Sequence, residues 1–302
     1  MLREARAGGG RASGVSIVRQ HVSISERRRV CRHARKPGRR RRNDGRQGWR
    51  GEGGGHGAIA LERVPVSGAE RKVALVTGAS RGIGRAVCLR LARDGYEIVA
   101  VARSEMELNA LAVEIDLAGG RCRVYPLDLT DAARIDEELG GMHADVVVNN
   151  AGIGVTKPFL ELTPADWNRM IALNVNALYH VTRAVLPGMM DRGAGHVCTI
   201  GSISGRSAFV GGSCYAATKA FVTAWAESLL LETRERGVKV SVVSPGGVAT
   251  MFGGKVPTAA DAWKLKTEDV ADAVSYVVGT PPSVLVHRVE VRTLSAPPPR
   301  KA

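Results

Sequence analysis

Lys72-Val73-Ala74-Leu75-Val76-Thr77, followed at once by Gly78-Ala79-Ser80-Arg81-Gly82-Ile83-Gly84, is the stretch on which the reading of this chain turns. Its first half is a β-branched apolar run and predicts a buried strand. Its second half is a glycine-rich turn. From Arg85 to Arg93 the apolar residues Ala86, Val87, Leu89 and Leu91 recur at roughly helical spacing, and Gly95 stops the pattern. Strand, turn and helix in this order form the first βα unit of a doubly wound sheet. Without Cβ atoms the turn's backbone can approach a pyrophosphate, and free N–H groups at the helix start face its charge. The spacing is Gly-x3-Gly-x-Gly, which makes Gly78, Ser80, Arg81, Gly82, Ile83 and Gly84 candidate nucleotide contacts.

The alternation continues along the chain. Strands are predicted at Glu97 to Ala102, Arg123 to Leu127, Asp145 to Val148, His196 to Ile200, Lys239 to Ser244 and Val284 to Val291. Between them lie helices after Ser104, after Asp131, from Thr163-Pro164 unbroken to about Leu186, over 213–236, and from Thr267-Glu268-Asp269. Ser104 with Glu107 reads as a capping box. The expectation is an α/β fold: a Rossmann-type doubly wound parallel sheet in three α/β/α layers, forming a single domain over 71–293.

The second strand ends at Ala102-Arg103-Ser104, with none of the carboxylates that would hold a ribose 2′-hydroxyl. Arg103 offers a guanidinium instead and Arg81 a second. Two such groups suit a 2′-phosphate, so the cofactor predicted is NADP(H).

Composition sets the remaining bounds. The chain has 302 residues and a formal charge of +14, but residues 1–70 carry 17 basic and 6 acidic residues, leaving 26 against 23 for the rest. The excess therefore belongs to an extension that also holds 13 glycines and the run Arg39-Arg40-Arg41-Arg42. Such a segment cannot bury enough surface to order itself, so 1–70 reads as disordered, as does the tail over 294–302. For the extension a nucleic-acid segment, a targeting segment and upstream sequence included by the start-site assignment all stay open. The domain itself suggests no nucleic-acid partner. No run of 18 apolar residues predicts a membrane span, and seven histidines without metal-ligand spacing predict no catalytic metal. Five cysteines without a CxxC pair argue for a reducing compartment, read as the cytoplasm.

Five motifs stand in order: Thr77-Gly78-x3-Gly82-x-Gly84, Asn149-Asn150-Ala151-Gly152, Ser202, Tyr215-x3-Lys219 and Pro245-Gly246. Together they resemble the short-chain dehydrogenase/reductase family over about residues 71–293. Tyr215 and Lys219 are four apart on a predicted helix and share a face. A free phenol has a pKa of about 10, and a nearby ammonium is expected to lower it so that Tyr215 can exchange a proton with a carbonyl or alcohol oxygen. Ser202, thirteen residues before Tyr215, would hydrogen-bond the reacting oxygen.

The resemblance implies further roles. Asn174 would hold a water linked to Lys219, although Ala177 stands where the family's glycine usually falls. Asp128 would meet the adenine, Asn150 the adenosine ribose side and Lys219 the nicotinamide ribose, with Ala151, Gly152 and Tyr215 as further cofactor contacts. Pro245, Gly246 and Thr250 would line the nicotinamide end. Asp128 is also a candidate helix cap. Residues 249–266, with Met251 and Phe252, read as a lid that makes an apolar pocket together with Phe209 and Val210. The family also implies a homo-oligomer, a dimer or tetramer. The activity expected is NADP(H)-dependent interconversion of a ketone or aldehyde with an alcohol. The alternatives are an enzyme like a 3-oxoacyl-carrier-protein reductase and a non-catalytic nucleotide-binding scaffold.

Overall fold

In a computed structural model, which describes residues 71–254 and 256–295, the opening apolar run forms strand β1, Val73–Thr77, buried at every position. The arginine-rich extension, residue 255 and the tail beyond 295 lie outside the described residues, and with them the expectations placed on 1–70. Six strands join β1: β2 (Glu97–Ala102), β3 (Arg121–Pro126), β4 (Val146–Asn149), β5 (Gly195–Ile200), β6 (Val238–Pro245) and β7 (Arg288–Val291). All pair in parallel, in the order β3-β2-β1-β4-β5-β6-β7.

Both faces of this sheet are covered, which is why its central strands are apolar throughout. Helices α1 (Gly82–Arg93), α2 (Glu105–Leu117) and α7 (Thr267–Val278) lie on one face, where Leu91, Leu111 and Val274 pack with Ala74 and Val76 of β1. Helices α3 (Ala132–Leu139), α5 (Ala177–Arg192) and α6 (Ser213–Thr233) cover the other, where Ile135, Val185 and Val222 pack with Val73 and Leu75. Successive residues of β1 thus feed opposite cores, as the two-residue strand period requires. The three-layer, doubly wound expectation holds.

Several local expectations change. The segment from Thr163 starts as predicted: α4 spans Pro164–Ile171, Pro164 opens it, and Thr163 Oγ1 accepts the Asp166 amide at 3.1 Å. It then widens into a π-helical stretch, Ala172–Asn176, and resumes as α5 through Pro187 to Arg192. A proline inside a helix removes a backbone hydrogen bond, which is why the sequence suggested a stop at Leu186. Buried Val181, Ala184, Val185 and Met189 hold the continuation against the sheet, and Gly193 at φ +65° ends it.

The capping box at Ser104 is absent: Ser104 is the N-cap of α2, but its side chain makes no capping hydrogen bond. The last strand is four residues, not eight. Lys239 Nζ gathers the carbonyls of Thr280, Pro281 and Val284 at 2.7–3.0 Å, committing that segment to a loop.

Candidate active site

Strand order reverses beside β1, whose neighbours are β2 and β4, and ligands of such sheets bind outside the carboxyl ends at that point. The glycine-rich turn lies there. Gly78 has φ +65°, and a Cβ on Gly84 would meet the Gly78 carbonyl oxygen at 2.2 Å and Asn150 Nδ2 at 2.5 Å. A side chain at Gly84 is therefore excluded by backbone contact. Asn150 fastens it: its Nδ2 donates to the carbonyls of Thr77 at 2.9 Å and Gly78 at 3.3 Å. Thr77 Oγ1 accepts the amides of Asn150 and Ala151 at 3.0 and 3.1 Å. The Asn150 amide, expected on the ribose side, is thus committed to joining the turns after β1 and β4.

Arg81 stands exposed as the N-cap of α1, whose first turn holds no acidic residue. Ser80 and Ile83 are half-buried beside it. Arg103 is exposed just past the end of β2. The Thr130 amide, with its hydroxyl and the Arg103 charge, holds the Asp128 carboxyl below its usual range. Asp128 clasps Thr130 at 2.9 Å, so it is not the cap of α3; that is Asp131, which accepts the Arg134 amide. Across the crevice, a Cβ on Gly82 would lie 3.7 Å from the Thr250 methyl. Pro245 ends β6, and the Gly246 amide donates to the Val291 carbonyl at 2.8 Å. A turn whose Gly84 admits no side chain, a helix start free of acid and two exposed guanidiniums fit a dinucleotide with a 2′-phosphate.

The reactive groups gather at the carboxyl end of β5. Ser202 caps the 3₁₀ turn Ile203–Gly205; its Oγ accepts the Ser204 amide at 3.1 Å, and its hydroxyl favours the ionised form of the Tyr215 phenol. Ser204 contributes only that amide to this contact. One turn along α6, Lys219 is buried, 6.0 Å from the Tyr215 ring centroid, and its Nζ donates to the Ile200 carbonyl at 2.8 Å. Burial pushes Lys219 down to about 8.

The phenol departs from expectation. Burial pushes the Tyr215 pKa up, and only the Ser202 hydrogen bond opposes the rise. The ammonium is aimed at the Ile200 carbonyl, so desolvation outweighs its attraction. Tyr215 consequently stays protonated at neutral pH, the form that donates a proton.

Asn174 sits in the π-helical stretch, 3 % exposed. Its Oδ1 accepts the Ile153 amide and its Nδ2 donates to the Ile153 carbonyl, both at 2.9 Å. The same Nδ2 reaches Thr218 Oγ1 at 3.1 Å, and that hydroxyl donates to the Tyr215 carbonyl at 2.8 Å. The wide turn lets one amide span the loop after β4 and the helix carrying the tyrosine, a placement π-bulges often serve. A Cβ on Gly152 would crowd Asn174 Oδ1 at 3.2 Å. Asn174, Ser202, Tyr215 and Lys219 are therefore brought together, while Arg81, Arg103 and Asp128 lie at the carboxyl ends of β1 to β3.

Two residues, Thr218 and Gly154, escaped the sequence reading, and a third, Phe252, was read only as part of the lid. Thr218 carried only the signal of its place inside Tyr-x3-Lys. Gly154 and Phe252 meet only in three dimensions: a Cβ on Gly154 would strike the Phe252 ring at 2.6 Å and lie 3.3 Å from the Tyr215 ring. The 249–266 segment is tied together at its two ends. Val248 pairs with Leu265, Ala249 donates to the Leu265 carbonyl, and Leu265 donates to that of Gly247.

Residues 72–261 match the short chain dehydrogenase family. An uncharacterized oxidoreductase of Staphylococcus epidermidis is 35% identical over 234 residues, covering 74% of this chain and 97% of that protein. The NADP-dependent 3-hydroxy acid dehydrogenase YdfG of Salmonella typhi is 34% identical over 235 residues, covering 72% and 94%. Among solved structures, an alcohol dehydrogenase from the archaeon Thermococcus sibiricus, complexed with 5-hydroxy-NADP, superposes with a TM-score of 0.70. It is 32% identical, and the match covers 76% of this chain and all of that one. With this glycine turn, this sheet order and these relatives, the chain belongs to the short-chain dehydrogenase family.

Proposed function

We propose that this oxidoreductase uses NADP(H) to interconvert a ketone or aldehyde with an alcohol. The observation that carries the proposal is Tyr215 one turn from buried Lys219, whose Nζ is 6.0 Å from the tyrosine ring, with Ser202 at the carboxyl end of β5, the sheet end that also bears the glycine turn. The 2′-phosphate would lie between Arg81 and Arg103, and the pyrophosphate against Gly78, Gly82 and Gly84, with Thr250 opposite. NADP in the names of two of the relatives supports this assignment. When bound, the nicotinamide supplies a hydride to the carbonyl carbon in reduction and takes one from the alcohol carbon in oxidation.

The side chains manage the oxygen. Ser202 donates a hydrogen bond to it as negative charge develops. Tyr215 gives it the phenolic proton, so that hydride and proton together complete the alcohol. The adjacent Lys219 ammonium stabilises the phenolate left behind, which then recovers a proton from solvent. Asn174 orients this machinery through Ile153 and Thr218. In oxidation the steps reverse: Tyr215 first gives its proton to solvent, and the phenolate then takes the alcohol proton.

The same reading takes a small carbonyl compound or alcohol as partner, in a cytoplasmic homo-oligomer. Half-exposed Tyr179 on α5 and Phe221 on α6 support the assembly. The test is a side-by-side titration with NADPH and NADH, followed by a panel of carbonyl compounds with the preferred cofactor. Tighter NADPH binding with turnover of at least one carbonyl is expected. NADPH binding without turnover anywhere on the panel would leave the scaffold reading in its place.

A further inference from the structure

Phe252 stands in a short 3₁₀ turn, Phe252–Gly254, after β6, where Gly253 and Gly254 adopt φ +71° and +79°. Its ring lies 5.7 Å from the Tyr215 ring, centroid to centroid and tilted by 56°, and against the backbone of Gly154. Gly154 is what admits it, because any side chain there would occupy the ring's place. Although it touches the reactive tyrosine, Phe252 remains 47% exposed, so an apolar surface is left uncovered next to the phenol.

The neighbouring loops add no free cation of their own at three positions. Lys157, after β4, is paired with Asp166 at 2.7 Å. Arg206, after β5, is paired with Glu290 at 3.1 Å, and Lys264, after β6, with Asp261 at 2.5 Å. Each of these cations is thereby withdrawn from a substrate carboxylate, while an aromatic face is offered.

We infer that Phe252 is the specificity-determining wall of the substrate site: the larger, apolar substituent of an uncharged ketone or aldehyde packs on its ring. The site then favours aryl and branched carbonyl compounds over 3-hydroxy acids and their oxo forms. Burying such a substituent removes apolar area from water on both partners, and an aromatic substituent gains from offset or edge-to-face contact. The inference rests on the carbonyl reductase reading above.

The experiment compares wild type, Phe252→Ala and Phe252→Leu with NADPH on a phenyl ketone and on acetone, and wild type with NADP⁺ on 3-hydroxypropionate. The ratio of kcat/KM for the phenyl ketone to that for acetone should fall about tenfold in Phe252→Ala, equivalent to about 1.4 kcal/mol, mostly through KM. Phe252→Leu should recover part of it. Wild type should turn over the phenyl ketone at a higher kcat/KM than 3-hydroxypropionate. NADPH binding by fluorescence verifies that each variant is folded. An unchanged ratio, a ratio that rises because the ring had been an obstacle, or a preference for 3-hydroxypropionate would overturn the inference. Absence of turnover by wild type on every carbonyl compound would instead overturn the function on which it rests.

Discussion

Lys219 carries its charge at a cost that can be measured. Burial lowers its pKa from 10.5 to about 8, a difference worth about 3 kcal/mol at roughly 1.4 kcal/mol per pH unit. Because the folded value lies below the unfolded one, between pH 8 and 10.5 the unfolded chain holds a proton that the folded protein has released. Stability therefore rises with pH across that window. Replacing the residue by methionine keeps much of its length and removes the titration. The unfolding free energy of wild type minus that of Lys219→Met, from urea titrations, should increase by about 3 kcal/mol from pH 7.5 to 10.5, wild type gaining stability relative to the variant. Subtraction removes other groups that titrate alike in both proteins. Carbonyl reduction by wild type should decline over the same range, since deprotonation removes the ammonium that stabilises the phenolate. A flat difference from pH 7.5 to 10.5 would show that the ammonium is not desolvated, and the reasoning would fail.

Two further outcomes follow from the same electrostatics. His196 is buried, its ring meets Ser241 Oγ at 2.8 Å, and burial with the Lys239 charge pushes its pKa down to about 3. Its contribution is lost as pH falls from 6.5 towards 3, by about 2 kcal/mol at pH 5, and His196→Gln should flatten the acid limb of a stability profile. Arg103→Ser should raise the Kd for NADPH about tenfold while moving that for NADH less than about twofold, as titration of both cofactors would reveal.

The parts of the molecule legible in the sequence were those in which one short segment contains its own cause. The run from Val73 to Thr77 could form only a doubly buried strand, and the glycine turn after it has a spacing that needs no distant partner. Tyr215 and Lys219 share a helix face by periodicity alone. Ser202 was found by the family pattern's thirteen-residue spacing to Tyr215, just past the end of a predicted strand.

What escaped depends on partners far along the chain. The π-helical turn at Ala172–Asn176 arises because Asn174 satisfies both backbone groups of Ile153, twenty-one residues earlier. The passage of α5 through Pro187 reflects packing that outweighs local propensity. The short β7 reflects the carbonyls gathered by Lys239. The Tyr215 pKa was misread for a related reason: helical spacing reveals a neighbouring charge but not how deeply both groups are buried. Phe252 against Gly154 and Tyr215 is a meeting of three loops and helices that periodicity does not encode.

Replacing Tyr215 by phenylalanine tests the central claim most directly, since it removes one hydroxyl and little else. With NADPH and a carbonyl compound that wild type reduces, Tyr215→Phe should retain cofactor affinity and lose at least about a hundredfold in kcat, the scale of a positioned general acid. Undiminished turnover in that variant would contradict the account.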